Sequence, residues 1–96
     1  MRPSEALQLH RADIRHIVTQ HHASNVRVFG SVLHGEDNET SDLDLLVEPT
    51  AETTLLDIAK IQNRLQILLG VPVDVLTPNA LPPRFRSQIL FEARPL

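Results

Sequence analysis

The fold is decided by residues 26–47, which read VRVFGSVLHGEDNETSDLDLLV. Two short apolar runs flank a polar turn in this stretch. The first run, residues 26–29, is β-branched or aromatic at three of its four positions and predicts a short strand. The second run, residues 41–47, predicts another strand. Antiparallel pairing of consecutive strands would lay the end of the first beside the start of the second.

A glycine and a serine, Gly30 and Ser31, follow the first predicted strand directly. A residue without Cβ allows backbone amides to approach an anion closely, and a hydroxyl can add one further hydrogen bond. Residues 30–35 would then turn into a short helix whose N-terminal amides face the anion. This pattern predicts a site for phosphate groups.

Three aspartates accompany this turn. Asp42 and Asp44 are two positions apart, so in a strand both carboxylates lie on one face, and paired hard oxygen ligands suit Mg²⁺. Asp74 interrupts the apolar run at residues 71–77, and a charge in such a strand needs a reason. By alternation Asp74 points away from Val73 and Val75, towards the other two carboxylates.

Together, Gly30-Ser31, the Asp42-x-Asp44 pair and the later Asp74 resemble the signature of the DNA polymerase β-type nucleotidyltransferase superfamily. The chain is most similar to its minimal, stand-alone members, the MNT domains that pair with HEPN proteins. The similarity covers nearly the whole chain, because the leading helix, the Leu-rich helix and the C-terminal tail fall where that family has them.

This resemblance implies an α/β (α+β) fold, with a small mixed sheet covered by helices, forming a single nucleotidyltransferase domain over residues 1–96. It implies a Mg²⁺-dependent enzyme that transfers AMP from ATP. Gly30 and Ser31 would bind the nucleotide, and Asp42, Asp44 and Asp74 would be catalytic and hold two metal ions. The first two would hold the nucleotide-bound metal and bridge both ions, and Asp74 would complete the second site and help deprotonate the acceptor hydroxyl.

The resemblance also implies a partner, a cognate HEPN-type ribonuclease toxin. This chain would act as its antitoxin in a hetero-oligomer, by attaching AMP to a tyrosine of the toxin. Two alternatives stay open. One is a binding module that neutralises its partner by occlusion and whose transferase site is vestigial; the other is a small-molecule transferase of the antibiotic-modifying type, which the absence of an acceptor-binding domain disfavours.

Composition narrows the function classes. The formal net charge is −3, the nine basic residues form no run, and the only aromatic residues are three phenylalanines. Direct binding of nucleic acid is therefore not expected. The chain has no cysteine, which excludes disulfides and zinc thiolate sites. It shows neither a signal-peptide pattern nor an apolar run of membrane-spanning length, so we expect a cytoplasmic protein.

The rest of the chain predicts helices around the sheet. We expect helices over residues 4–21, broken near His10, over residues 55–69 and over residues 82–93. The loop over residues 36–40 reads as a solvated connector. His34 stands where the family often has an arginine, so Arg27 or an arginine of the partner would have to supply that charge. Phe85, Phe91 and the terminal residues 95–96 are predicted contacts to a protein.

Overall fold

The chain folds into a mixed four-stranded sheet with helices on both faces. The computed structural model describes all 96 residues. The elements in order are α1 Pro3–Leu9, α2 Arg11–Gln20, β1 Ala23–Phe29, α3 Gly30–Leu33, β2 Leu43–Pro49, α4 Leu55–Leu69, β3 Val73–Leu76, a 3₁₀ turn Pro78–Ala80, α5 Arg86–Glu92 and β4 Arg94–Pro95. The predicted α/β architecture is confirmed. No helix has the length and apolar character needed to span a membrane.

The strands lie in the order β3-β2-β1-β4. β1 pairs antiparallel with both β2 and β4, whereas β2 and β3 run parallel. A parallel pair requires a crossover, and α4 supplies it. The strand β4 was not predicted: Pro95 pairs with Arg27, and Leu96 packs against the core. Arg94 and Pro95 thus extend the sheet. Pro95 is exposed, so the contact of residues 95–96 with a protein stays a prediction.

The main core lies on the face of the sheet covered by α1, α2 and α4. Alternate strand residues point into it from three strands, and α2 contributes buried Ile14, Ile17 and Val18. The strand contributions are Val26, Val28, Leu43, Leu45, Val47, Val73 and Val75. This alternation fixes which residues must face the opposite side of the sheet.

Helix α4 begins and ends as its sequence predicts. The Thr54 hydroxyl accepts a hydrogen bond from the Asp57 amide at 3.2 Å, and the Asp57 carboxylate accepts one from the Thr54 amide at 2.9 Å. Gly70 ends the helix in the left-handed conformation, with φ of 68°. The predicted apolar stripe was too wide, however, because Leu55 is 90% exposed and Leu56 is 62% exposed.

The same helix secures the edge strand β3. The Gln66 side chain accepts from the Val73 amide at 3.1 Å, and the Gln62 side chain accepts from the Val75 amide at 3.0 Å. Amides that face away from β2 are thereby satisfied, which also protects an otherwise open sheet edge. The strand that carries Asp74 is therefore held from both sides.

A smaller apolar cluster, formed by buried Phe29, Leu46 and Leu81, occupies the opposite face of the sheet. Helix α5 packs against it through Ile89. The Arg86 guanidinium fixes the start of this helix by donating to three carbonyls of the preceding segment, at 2.9 to 3.2 Å. Helix α5 begins at Arg86, later than the predicted start at residue 82, because residues 83–85 form a turn.

The predicted N-terminal helix breaks at His10, as expected. The loop before β2 contacts the start of α1 through Asp37. Asp37 is only 7% exposed and accepts a hydrogen bond from the Ser4 amide at 2.9 Å. That bond satisfies one of the free amides at the start of α1. The prediction of a merely solvated connector over residues 36–40 was wrong for Asp37, because composition does not reveal a long-range cap.

Candidate active site

The register of β2 brings the chemically important residues together. Asp44 lies opposite Phe29 in the antiparallel pair with β1, and opposite Asp74 in the parallel pair with β3. Gly30 follows Phe29 directly, so the turn at the end of β1 lies beside the start of β2, as the sequence predicts. Residues directly opposite in adjacent strands point to the same face, so Asp44 and Asp74 face the same side.

Asp42 precedes β2 by one residue, two positions before Asp44. Asp42 and Asp74 are exposed, whereas Asp44 is partly buried. None of the three side chains forms a hydrogen bond or an ion pair with another protein group, in contrast to Asp37 and Asp57, which cap helices. The carboxylates therefore remain free to bind a ligand.

The pKa of the Asp44 carboxyl is raised by its surroundings. Partial burial, the largest cause, and then the negative charges of Asp74 and Asp42 raise the pKa of the Asp44 carboxyl to about 6. Both causes disfavour the ionised form. A divalent cation at this point would reverse the effect, since it would neutralise the repulsion between the three groups.

The donor set fits a hard cation such as Mg²⁺, because all three groups are carboxylates. The side chains do not converge into a preformed cage, since no three histidine, aspartate or glutamate side chains are grouped as a metal centre. Mg²⁺ is commonly held by one or two carboxylates together with substrate phosphates. Asp42, Asp44 and Asp74 could hold it in that manner.

Gly30 is required by its contact with Asp44. Its φ is 73°, and a Cβ at this position would overlap Oδ2 of Asp44 and lie 3.2 Å from its Cγ. The sequence predicts that a glycine here lets phosphates approach the backbone, and the structure adds a second reason, which is space for the Asp44 carboxylate. The next residue, Ser31, lies in α3, and its hydroxyl makes no hydrogen bond within the protein.

A cleft of about 380 Å³ opens beside Gly30. Its β1–α3 side is formed by Phe29, Gly30 and His34. Its other side is formed by Phe85, Gln88, Ile89 and Glu92, which belong to α5 or precede it. Sequence reasoning missed this cleft, because neither motif spacing nor periodicity shows where α5 crosses the sheet. Only the apolar residues of that segment signalled that it packs nearby.

The structure does not provide the positive charge that Arg27 was expected to supply near the phosphate turn. Arg27 is not available to replace the missing arginine, because its guanidinium Nη2 binds the Glu48 carboxylate at 2.5 Å, away from the turn. His34 Nε2 lies 3.3 Å from Oε2 of Glu92 on α5. The histidine therefore links α3 to α5 across the cleft.

Several proteins of known sequence are similar to this chain. The family described as the nucleotidyltransferase domain matches residues 11–96. "Putative protein adenylyltransferase MJ0435" of Methanocaldococcus jannaschii is 40% identical over 77 residues, covering 80% of this chain and 83% of that protein. "Protein adenylyltransferase MntA" of Thermococcus cleftensis is 34% identical over 67 residues, covering 70% of this chain and 68% of that protein.

Solved structures share the fold. A structure described as a "putative minimal nucleotidyltransferase" superposes with a TM-score of 0.86 and 47% identity, covering 97% of this chain and 95% of that one. A chain from a toxin-antitoxin structure with AMP-PNP superposes with a TM-score of 0.71 and 14% identity, covering 97% and 71%. The first likeness confirms the predicted minimal nucleotidyltransferase fold, and the second supports the fold alone.

Substitution of two glycines distinguishes the effect of backbone strain from the effect of the contact between Gly30 and Asp44. Gly30 and Gly35 have nearly equal φ values, 73° and 68°, but nothing lies within 4 Å of a Cβ at Gly35. Gly30→Ala and Gly35→Ala should each cost about 1–2 kcal/mol in unfolding free energy for the left-handed backbone. Only Gly30→Ala should also abolish Mg²⁺-dependent ATP binding, measured by calorimetry. Equal losses of binding in both variants would contradict the role of the Asp44 contact.

The raised pKa of Asp44 predicts a pH dependence of stability without metal. The folded pKa of about 6 exceeds the ordinary value of 3.8, so the proton stabilises the folded state below pH 3.8, and this stabilisation is lost as pH rises through about 6. Asp44→Asn should therefore be more stable than wild type at pH 7, by roughly 1 kcal/mol after allowance for solvent screening.

Urea unfolding at pH 5 and pH 7 measures this difference. The stability of Asp44→Asn should rise relative to that of wild type between the two pH values. Glu52→Gln, at an exposed carboxylate whose side chain makes no hydrogen bond or ion pair, serves as the control. A constant difference between Asp44→Asn and wild type would show that Asp44 does not titrate in this range.

Proposed function

The chain belongs to the nucleotidyltransferase domain family, and we propose that it transfers AMP from ATP to a hydroxyl group of a protein acceptor. The observation that carries this proposal is the alignment of Asp44 with Asp74 across β2 and β3, beside the Gly30 turn. The names of the relatives support the protein acceptor, since both describe protein adenylyltransferases.

The reaction needs no nucleophilic residue of the protein. The acceptor oxygen forms a bond to the α-phosphorus of ATP, while the bond from that phosphorus to the oxygen bridging the β-phosphate breaks and pyrophosphate leaves. Catalysis of this kind is mostly positioning and charge stabilisation. Mg²⁺, when bound, would neutralise charge that develops on the phosphates.

The residues of the chain then have separate roles. Gly30 and Ser31 bind the phosphates, with the serine hydroxyl free to donate. Asp42, Asp44 and Asp74 would hold the metal ions, and Asp74 would also accept the proton of the acceptor hydroxyl. Asp74 suits this last role because it is exposed and carries no competing hydrogen bond.

The surface near the site suits a protein acceptor. A second hollow, of about 290 Å³, lies across the His34–Glu92 pair from the cleft and is lined also by Leu33, Phe91 and Arg94. Phe91 is 90% exposed there. Exposed aromatic residues are typical anchors of protein interfaces, and a docked protein would deliver its hydroxyl in line with the α-phosphate.

We propose further that the acceptor is a tyrosine of a HEPN-type ribonuclease toxin, with this chain as its antitoxin. The negative net charge of −3 is consistent with a protein acceptor in place of a free nucleic acid. One chain of the same fold comes from a toxin-antitoxin structure with AMP-PNP, and one relative is named MntA. The proposed complex is a hetero-oligomer.

An antitoxin that acts by occlusion alone is the second candidate. It is favoured by the exposed Phe91 and by His34, which binds Glu92 and leaves the phosphate turn without a fixed positive charge. Under this alternative the three carboxylates would be dispensable for neutralisation, whereas the transferase requires each of them. The two functions are therefore separable by mutation.

Intact-mass spectrometry of the acceptor distinguishes them. The protein is mixed with ATP, Mg²⁺ and the proposed cognate HEPN-type toxin, and we expect the toxin to gain the mass of one or more AMP units. Asp44→Asn should lower the rate of transfer at least about 1000-fold, because a metal ligand is lost with no change of volume, while the control Asp13→Asn should retain wild-type rates. Tight binding and toxin neutralisation without a mass gain would establish occlusion instead.

A further inference from the structure

Asp37 is the one charged residue of this chain that is buried, with 7% of its surface exposed. A carboxylate removed from water requires a partner. The partner is the backbone amide of Ser4, which donates to Oδ2 of Asp37 at 2.9 Å. This hydrogen bond lowers the pKa of the Asp37 carboxyl, so the group is ionised at neutral pH. The contact joins the loop before β2 to the start of α1.

Helix α1 is a firm anchor for this loop. Ala6 and Leu7 are buried in the main core, and the Glu5 carboxylate fixes the same end of the helix by accepting from the Arg2 amide at 2.9 Å. The match to the nucleotidyltransferase domain begins at residue 11. The anchor of the loop therefore lies outside the segment that identifies the family.

The residues between Asp37 and Asp42 form one hydrogen-bonded turn. The side-chain oxygen of Asn38 accepts from the Thr40 amide at 2.8 Å, and the Asn38 amide donates to the Ser41 hydroxyl at 2.9 Å. The Ser41 amide donates in return to the Asn38 carbonyl at 3.1 Å. Such bonds make a turn rigid, so the position of Asp37 determines that of Ser41.

Asp42 lies between this turn and the sheet. The amide of Leu43, the next residue, donates to the Pro72 carbonyl at 2.9 Å, and Leu43 is fully buried. Asp42 itself has no partner in the register of β2 with β1 or with β3. The sheet therefore fixes Asp42 only on its C-terminal side, and the turn anchored by Asp37 fixes it on the other side.

We propose that Asp37 is a positioning residue for the metal site, because it holds the Asp42 carboxylate in place by fixing the loop to α1. Asp37 contacts no reacting atom in this role and acts through Asp42. Asp44 and Asp74 need no such support, since both lie within paired strands. The inference rests on the proposed function, because it concerns the Mg²⁺ of that reaction.

A helix cap and a positioning residue differ in what is lost with the hydrogen bond. Loss of a cap lowers the unfolding free energy but leaves the metal affinity of the folded protein unchanged. Loss of a group that orients a metal ligand lowers the metal affinity itself, typically about 10–100-fold. A binding measurement on folded protein therefore separates the two roles.

The measurement is calorimetric titration of the full chain with ATP, once with Mg²⁺ and once with a chelator in place of Mg²⁺. The ratio of the two affinities, called here the metal ratio, reports what the ion contributes. Asp37→Ala should lower the metal ratio about tenfold. Asp37→Asn keeps an acceptor oxygen for the Ser4 amide and should retain the wild-type ratio.

Glu5→Ala is the matched control. It removes the other carboxylate that accepts at the start of α1, and Glu5 forms no hydrogen bond or ion pair with the loop. Like Asp37→Ala, it should lower the midpoint of urea unfolding. Unlike Asp37→Ala, it should keep the wild-type metal ratio.

A second variant breaks the same bond from the donor side. Ser4→Pro removes the N–H that binds Asp37, at a position in the first turn of α1, where proline is tolerated. The loop sequence is unchanged, and the metal ratio should fall as in Asp37→Ala. This variant tests the inference even if Asp37→Ala does not fold.

A double-variant cycle tests whether the effect passes through Asp42. Asp42→Asn should lower the metal ratio by itself, and Asp37→Ala added to it should lower the ratio no further. An equal additional loss in the double variant would overturn the inference. A wild-type ratio in Asp37→Ala and Ser4→Pro, with lowered stability, would also overturn it and leave Asp37 as a cap alone.

Failure of the inference is distinct from failure of the proposed function. If Asp42→Asn lowers the metal ratio but loss of the bond between Asp37 and Ser4 does not, only the inference is rejected. If wild type binds ATP no more tightly with Mg²⁺ than without it, or if Asp42→Asn keeps the wild-type ratio, the metal site of the proposed function is rejected together with the inference.

Discussion

The register of β2 against its two neighbours is the constraint on which the site depends. Leu43 and Leu45 are fully buried on one face, while Asp44 between them faces Asp74 on the other. A slip of one residue would turn Asp44 into the core, where an unpaired carboxylate costs several kcal/mol, and would expose both leucines. The packing that stabilises the sheet thus also places the carboxylates.

The same register creates a conflict between stability and chemistry. Asp44 lies where it repels two other carboxylates, and this repulsion with partial burial raises its pKa. Gly30 must leave room for the carboxylate and adopt a backbone conformation that L-residues rarely take. Both features destabilise a small domain. They are expected at a functional site, where a bound cation would offset the repulsion between the carboxylates.

Much of this arrangement could be predicted from local patterns. Neighbouring residues determine the turn after β1, the alternation in β2 and β3, and the caps of α4. The α/β fold, and the position of Asp44 and Asp74 on one face of the sheet, could therefore be predicted from the sequence. Contacts between distant segments could not be predicted. The cap of α1 by Asp37, the pairing of β4 with β1, the Arg27–Glu48 pair and the cleft under α5 all depend on tertiary geometry that no spacing reveals.

The central claim is that the three aspartates and the Gly30 turn hold one nucleotide with its metal. The most direct measurement is a crystal structure of the protein with a non-hydrolysable ATP analogue and Mn²⁺, whose anomalous signal locates the ion independently of the nucleotide. The account predicts an anomalous peak between Asp42, Asp44 and the phosphates, with the phosphates against Gly30 and Ser31. A nucleotide bound elsewhere, or one bound at Gly30 with no ion at these carboxylates, would contradict it.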